Sequence, residues 1–253
     1  MCSLIRYRST KLLWTLFKKI ALILAGCIGK NLRGTNIVIG TNAIYAYEAA
    51  AGIFFDSAIM ATRDMDILWD IRSKLTLATD NKIEPGGLLG ILRKSDRSFE
   101  LSRSRPFQAV NRDGYMVDLI KAEPQKKIVI KERRRMGGLG DLEAVEISNL
   151  QWLLSSQKFL QFVIGDDGYP STMISPDPRA FSLHKLWLSE QPDRDPIKKK
   201  RDKDQGLAVA QLVLQYLPQY PFKKAELKMF PIEIINKALA QISNTEGFFG
   251  SEP

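Results

Sequence analysis

Histidine and cysteine are nearly absent from this chain: His184 is the single histidine, and Cys2 and Cys27 are the two cysteines. One histidine excludes a histidine-rich metal centre. Two cysteines can form at most one bridge, which excludes a disulfide scaffold and points to a reducing compartment, with the cytoplasm as the expected location. No apolar stretch reaches the ~18 residues that a spanning helix needs, so no membrane partner is expected. Internal repeats and low-complexity tracts are missing too, which argues against a solenoid or an extended disordered chain. What is present is ordinary for a globular fold, since 45% hydrophobic and 26% charged residues are enough to bury a substantial core.

The charge is one-sided. Lys and Arg total 37 against 28 Asp and Glu, a formal net charge of +9, which favours polyanionic partners such as nucleotides, nucleic acid or an anionic membrane. Two basic stretches, Lys126 to Arg135 and Lys198 to Lys203, supply sequence-independent affinity for RNA such as tRNA. Neither interleaves aromatics as a stacking platform would. Near the N-terminus, Lys18-Lys19 followed by Ile20 to Cys27 has the form of a charged region, an apolar region and a Leu-Ala-Gly-Cys end, as in a targeting signal. The same residues fit an amphipathic or buried helix from Thr10 to Ile28 closed by Gly29, and that is the expected reading.

Along the chain, Thr35 to Gly40 has the composition of a short buried strand ending in glycine, and Thr41 to Ala51 that of an Ala-rich helix. Strands are predicted at Met65 to Trp69, Gly114 to Ile120, Lys127 to Lys131 and Ala144 to Ile147, with a short helix at Leu88 to Arg93. From Asp177 the period becomes helical: Pro178 to Ser189, Ile197 to Tyr216 and Phe222 to Ile242. The expected organisation is an N-terminal helical segment over 1–33, a core over 34–150, connecting strands over 151–176 and a C-terminal helical domain over 177–253.

The candidate chemistry centres on Ala61-Thr62-Arg63-Asp64-Met65-Asp66-Ile67-Leu68. Residues two apart on a strand project to one face, so Asp64 and Asp66 aim their carboxylates at one point. Two anions there repel unless a cation lies between them, and a hard divalent ion such as Mg²⁺ (or Mn²⁺) meets that need. Asp118, in Val117-Asp118-Leu119-Ile120, supplies a third carboxylate if its strand is a neighbour, either for a second ion or as a general base. Val38-Ile39-Gly40-Thr41-Asn42 is a strand ending in glycine that opens into a helix, a turn at which backbone N–H groups can meet a phosphate. Taken singly, each feature also has a plain structural explanation: a solvated strand face, an edge carboxylate, a tight turn with Thr41 as cap.

Together these residues resemble the nucleotidyltransferase superfamily that includes DNA polymerase beta, the minimal nucleotidyltransferases and the abortive-infection nucleotidyltransferase toxins. The pattern matched is Gly40-Thr41, then Asp64 with Asp66, then Asp118. Ile39-Gly40-Thr41-Asn42-Ala43, Ala61-Thr62-Arg63-Asp64 and Asn111-Arg112-Asp113-Gly114-Tyr115 are similar to a bacterial subfamily of uncharacterised nucleotidyltransferase-fold proteins. The separation of Gly40 from Asp64 exceeds the compact spacing of many members, so the loop from Gly52 to Met60 reads as an insertion outside the sheet.

The resemblance implies an α+β fold, a polymerase beta-like mixed sheet flanked by helices with a C-terminal helical domain. It implies Asp64, Asp66 and Asp118 as catalytic and metal-binding residues, Gly40 and Thr41 seating the phosphates of an NTP, and Lys185 as a phosphate-binding cation. Asn42 and Arg63 flank the motif as candidate ribose or phosphate contacts, Arg63 being also a candidate strand-face ion pair, and His184 reads as structural. The implied reaction moves a nucleoside monophosphate to a hydroxyl on RNA, protein or a small molecule. The competing expectation is a catalytically silent nucleotide- or nucleic-acid-binding module. Either is compatible with a partner protein in a toxin–antitoxin or phage-defence setting.

Overall fold

The computed structural model describes residues 36–60, 62–71, 87–124, 134–164 and 170–244. The expected N-terminal helix and the Lys127 to Lys131 strand lie outside these residues. The strands are β1 (Asn36–Ile39), β2 (Asp64–Trp69), β3 (Glu100–Leu101), β4 (Gln108–Val110), β5 (Met116–Ala122), β6 (Val145–Ile147), β7 (Lys158–Ile164) and β8 (Pro170–Pro176). The helices are α1 (Ile44–Ala51), α2 (Ser57–Met60), α3 (Gly87–Ser95), α4 (Gln151–Ser155), α5 (Pro178–Ser189), α6 (Pro196–Tyr216) and α7 (Ile232–Ser243). The main sheet is mixed, in the order β1-β2-β5-β4-β3, with β6 also pairing with β5; β7 and β8 form a separate hairpin.

Strand periodicity explains why this sheet is covered on both faces. Met65, Ile67 and Trp69 of β2, with Val117 and Leu119 of β5 and Val38 of β1, point to one face, where Ile44 and Tyr47 of α1 and Leu88 and Leu92 of α3 close over them. The alternate residues Leu68, Ile120, Ile37 and Ile39 point to the other face and meet Leu183 and Leu186 of α5, Leu207 of α6 and Ile235 of α7. Asp64, Asp66 and Asp118 share this second, helix-covered face. Apolar residues fill the far ends of the same strands, and the carboxylates are left at the near ends, where the helical cover opens.

Tyr47 fixes α1 to the hairpin. Its hydroxyl donates to the carbonyl of Pro176 at 2.9 Å, and its ring meets Phe159 and Phe181 edge-on at centroid distances of 5.5 and 5.4 Å. The helix pair α5–α6 is held still closer. A Cβ on Gly206 would lie 2.9 Å from Leu186 and 3.1 Å from the carbonyl of Ser182, and the Ser182 hydroxyl donates to the Gly206 carbonyl at 2.7 Å. Only glycine allows this approach, which sets the two helices that carry the site's cations. Among the described residues no helix is long and apolar enough to cross a membrane.

Two sequence expectations are corrected. The helix expected from Thr41 begins as a 3₁₀ turn over Gly40–Ala43 before α1 starts at Ile44. The long helix expected over Phe222 to Ile242 is confined to Ile232–Ser243. Pro231 stands at its N-cap with extended ψ of 142°, and the preceding residues form a 3₁₀ turn over Lys224–Glu226, because proline restricts the residue before it and cannot donate within a helix.

Glu48 of α1 generates a stability prediction. It is buried and accepts the Phe55 N–H at 2.7 Å, and burial pushes its carboxyl from 4.5 up to about 7. Between those values the folded chain keeps a proton that the unfolded chain releases. Stability is therefore highest below the unfolded value and falls as pH rises through the folded one. Glu48→Gln keeps the acceptor for Phe55 and removes the charge. At pH 8 it is expected to exceed the wild type by up to ~3 kcal/mol, and near pH 4 to match it, in urea unfolding followed by circular dichroism.

Candidate active site

The strand register brings the three aspartates together. Asp66 pairs across the ladder with Ile39 on one side and Asp118 on the other, so two carboxylates stand side by side on adjacent parallel strands. Asp64, two residues before Asp66, shares their face and lies opposite Met116. Burial pushes the Asp66 carboxyl up to about 7, Asp64 and Asp118 adding to the rise while Lys185 and Arg194 oppose it. Burial also raises Asp118. Gln108 counteracts it by donating from Nε2 to Asp118 Oδ1 at 2.8 Å, and the Asp64 charge raises it further.

Gly40 follows Ile39 directly and has φ +65°. A Cβ there would collide with the Asp66 carboxylate. Both facts require glycine: the backbone adopts the left-handed region, and it passes against the acid with no side chain between. The turn is pinned from both ends. Asn42 Nδ2 donates to the Asp64 carbonyl at 2.5 Å, and the Thr41 hydroxyl accepts from Gln205 Nε2 of α6 at 3.0 Å. Gln205 Nε2 also donates to the Ile59 carbonyl at 2.8 Å, so the segment between α1 and β2 is tied to α6 beside the sheet.

The opposite wall is cationic. Lys185 of α5 is buried and its Nζ lies 2.7 Å from Asp202 Oδ1, while Arg194 reaches Asp202 Oδ2 at 2.7 Å. Asp202 itself is completely buried. Burial alone would raise its pKa, but Lys185 and Arg194 outweigh it and hold the carboxyl below its ordinary value. Burial pulls Lys185 downward, and Asp202 and then Asp66 work against that pull. The neighbouring His184 is held neutral by burial, its pKa lowered to about 3.

A cavity of about 310 Å³ lies among these groups, within the range of small-ligand sites. Gly40, Thr41, Asp64, Asp66, Asp118 and Lys185 all line it. Asn42 is buried and serves the turn, and Arg63 is exposed and does not line the cavity. Arg194, Lys198, Arg201 and Phe107 also line it. The sequence does not mark Arg194 or Phe107, whereas Lys198 and Arg201 fall in Lys198-Lys199-Lys200-Arg201-Asp202-Lys203-Asp204, a stretch that resembles an Arg-Asp turn of the toxin-like relatives and also reads as a solvated helix start. The spacing of Lys198 and Arg201 on one turn of α6 was the available signal. Arg194 lies in the loop between α5 and α6, where no periodicity marks it.

The donor set suits a hard divalent cation: three carboxylates from adjacent strands, with one, Asp66, whose proton affinity is raised by burial and then by its two like-charged neighbours. Among the described residues no three acidic, histidine or cysteine side chains already converge on a single ion position. The Thr62 hydroxyl donates to Asp64 Oδ1 and Gln108 donates to Asp118 Oδ1, so two of the three carboxylates are held by neighbouring side chains.

A mixed sheet with helices on both faces, an acidic strand pair and a glycine turn beside it form a nucleotidyltransferase-like fold. The chain belongs to the nucleotidyltransferase family, whose model matches residues 28–231. The family's general chemistry is nucleotidyl transfer. The crystal structure of an antigenic nucleotidyltransferase-like protein from Paracoccidioides brasiliensis is similar at 15% identity, over 87% of this chain and 94% of that one, with a TM-score of 0.38. No protein of curated function is significantly similar in sequence.

The Lys185–Asp202–Arg194 cluster carries the second prediction. Asp202→Ala leaves two cations without their buried counter-ion and is expected to cost about 3–5 kcal/mol in denaturant unfolding. The double variant Lys185→Met with Asp202→Leu is expected to lose less than either single change, which a double-mutant cycle measures directly.

Proposed function

We propose that this protein is a Mg²⁺-dependent (or Mn²⁺-dependent) nucleotidyltransferase that moves a nucleoside monophosphate from an NTP to a hydroxyl of RNA, protein or a small molecule, releasing pyrophosphate. The observation that carries the reading is that Asp64, Asp66 and Asp118 line one cavity together with the Gly40 turn and Lys185. In this reading the core over 34–150 supplies the acids and the turn, and the helical half over 177–253 supplies the cations.

Asp64, Asp66 and Asp118 would hold the divalent ion, which supplies charge neutralisation for the transferring phosphoryl group when bound. Gly40 and Thr41 would seat the phosphates, since they open the 3₁₀ turn and both line the cavity. Lys185, Arg194 and Lys198 face the same space and orient the polyphosphate. The acceptor oxygen attacks the α-phosphorus as the bond to the bridging oxygen breaks. The electron pair of that bond leaves with pyrophosphate.

Asp118 takes the hydroxyl proton in this scheme. Burial and the Asp64 charge raise its proton affinity, which suits a base, and the Gln108 contact fixes which oxygen is free. Phe107 lines the cavity and the Arg105 charge acts on Asp118; in this scheme the acceptor approaches from the β4 side. Asp66→Asn keeps the side-chain shape and removes the negative charge, which makes it the cleanest test. With each α-labelled NTP, Mg²⁺, and RNA or protein as acceptor, the variant is expected to lose transfer on the order of 10³-fold while remaining folded. Nucleotide binding by the wild type without transfer to any acceptor would instead favour a silent binding module.

A further inference from the structure

Gln205 is completely buried on α6, and the transfer scheme gives it no part. Lys198, Arg201 and Gln205 follow one another at spacings of three and four residues, so they form one stripe along the helix. The first two line the cavity, and the third reaches the glycine turn that lines it as well. The next residue, Gly206, has no room for a side chain beside Leu186. The helix that carries Gln205 therefore cannot slide or turn without losing its packing on α5.

Chemistry sets the direction of each hydrogen bond that Gln205 makes. Its Nε2 lies 2.8 Å from the Ile59 carbonyl and 3.0 Å from Thr41 Oγ1. A carbonyl can only accept, so the amide nitrogen, and not the amide oxygen, faces Ile59. That nitrogen has two hydrogens. One goes to Ile59 and the other to Thr41, which makes the Thr41 hydroxyl the acceptor in their contact. A hydroxyl carries a single proton, and accepting from Gln205 leaves that proton to be donated elsewhere. Among the described residues nothing takes it, and the open space that Thr41 borders is the cavity. The other end of the amide is left unsatisfied: Gln205 Oε1 is buried with no hydrogen-bond partner among the described residues. A buried oxygen without a donor destabilises a fold, and a plain tie between α6 and the turn does not require one.

We propose that Gln205 is a positioning residue for the phosphate seat: by donating to Thr41, it holds the Thr41 hydroxyl as a donor toward an anionic oxygen in the cavity. The inference rests on the proposed NTP reading and adds to it the residue that sets the turn from the helical half. Its effect is preorganisation. A threonine hydroxyl free to rotate can give its proton to a nearby backbone carbonyl, whereas one that already accepts from a fixed amide has its remaining direction set before the ligand arrives.

The test is a double-mutant cycle read in nucleotide affinity. The full chain as wild type, Thr41→Val, Gln205→Leu and the double variant is titrated calorimetrically with a non-hydrolysable α,β-methylene NTP and Mg²⁺, and urea unfolding reports the stability of each. Each single change is expected to weaken binding about tenfold, as the loss of one hydrogen bond to a charged group does. The double variant is expected to lose no more than either, because the amide acts through the hydroxyl. In a Thr41→Ser background, which keeps the hydroxyl, Gln205→Leu is expected to regain its tenfold effect. Gln205→Met removes the same amide at similar volume and replaces Gln205→Leu in the cycle if that variant does not fold. Additive losses, a Thr41→Val variant that binds as tightly as the wild type, or a Gln205 variant that loses stability alone overturns the positioning role and leaves the NTP reading intact. Failure of the wild type to bind the nucleotide overturns that reading, and with it this inference.

Discussion

Everything at the centre of this molecule depends on mutual repulsion among three carboxylates on neighbouring strands. Asp66 and Asp118 face each other across a parallel ladder, and Asp64 stands two residues away on the same face. Burial raises the proton affinity of Asp66, and the like charges of Asp64 and Asp118 placed this close raise it further. A fold tolerates such a cluster only where positive charge approaches it. Here that charge comes from the helical half, through Lys185 and Arg194, and from the shared space a hard cation would enter.

The backbone around the cluster is correspondingly over-determined. Gly40 approaches Asp66 with no side chain between them, and its turn is held by Asn42 to β2 and by Thr41 to Gln205 of α6. Gly206 brings α5 and α6 together, which fixes Lys185 opposite the strands. Packing on both faces of the sheet therefore does more than bury apolar area: it sets the separation between the acids and the cations.

How much of this was legible in the sequence follows from the range of each interaction. The period-2 alternation of β2 and β5 revealed a shared acidic face, because side-chain direction on a strand is a local property. The helices α5 and α6 were readable from their period, their proline at the first turn and the aspartates that cap them. Their mutual approach was not, since Gly206 looks like any helix-weakening glycine until Leu186 is set against it. The short strands β3 and β4 stayed invisible for a similar reason: two or three residues carry no periodicity, and their pairing is decided by β5. Arg194 was missed because a loop residue reveals its role only through partners distant in sequence. Pro231 explains the misjudged last helix, where apolar residues continued a helical pattern across a residue that cannot extend one.

The position of Asp202 explains why the cations remain available to a ligand. Had Lys185 paired directly with Asp66, the positive charge would be consumed by the acid, and a triphosphate entering the cavity would have to break that pair. Asp202 instead holds Lys185 and Arg194 from behind, completely buried on α6. One negative charge anchors two positive ones, so the trio keeps a net positive charge beside the cavity. The long-range pull of Lys185 on Asp66 persists without a contact. The helical half thereby presents fixed positive charge to whatever fills the cleft, and its orientation costs nothing further when a polyphosphate arrives.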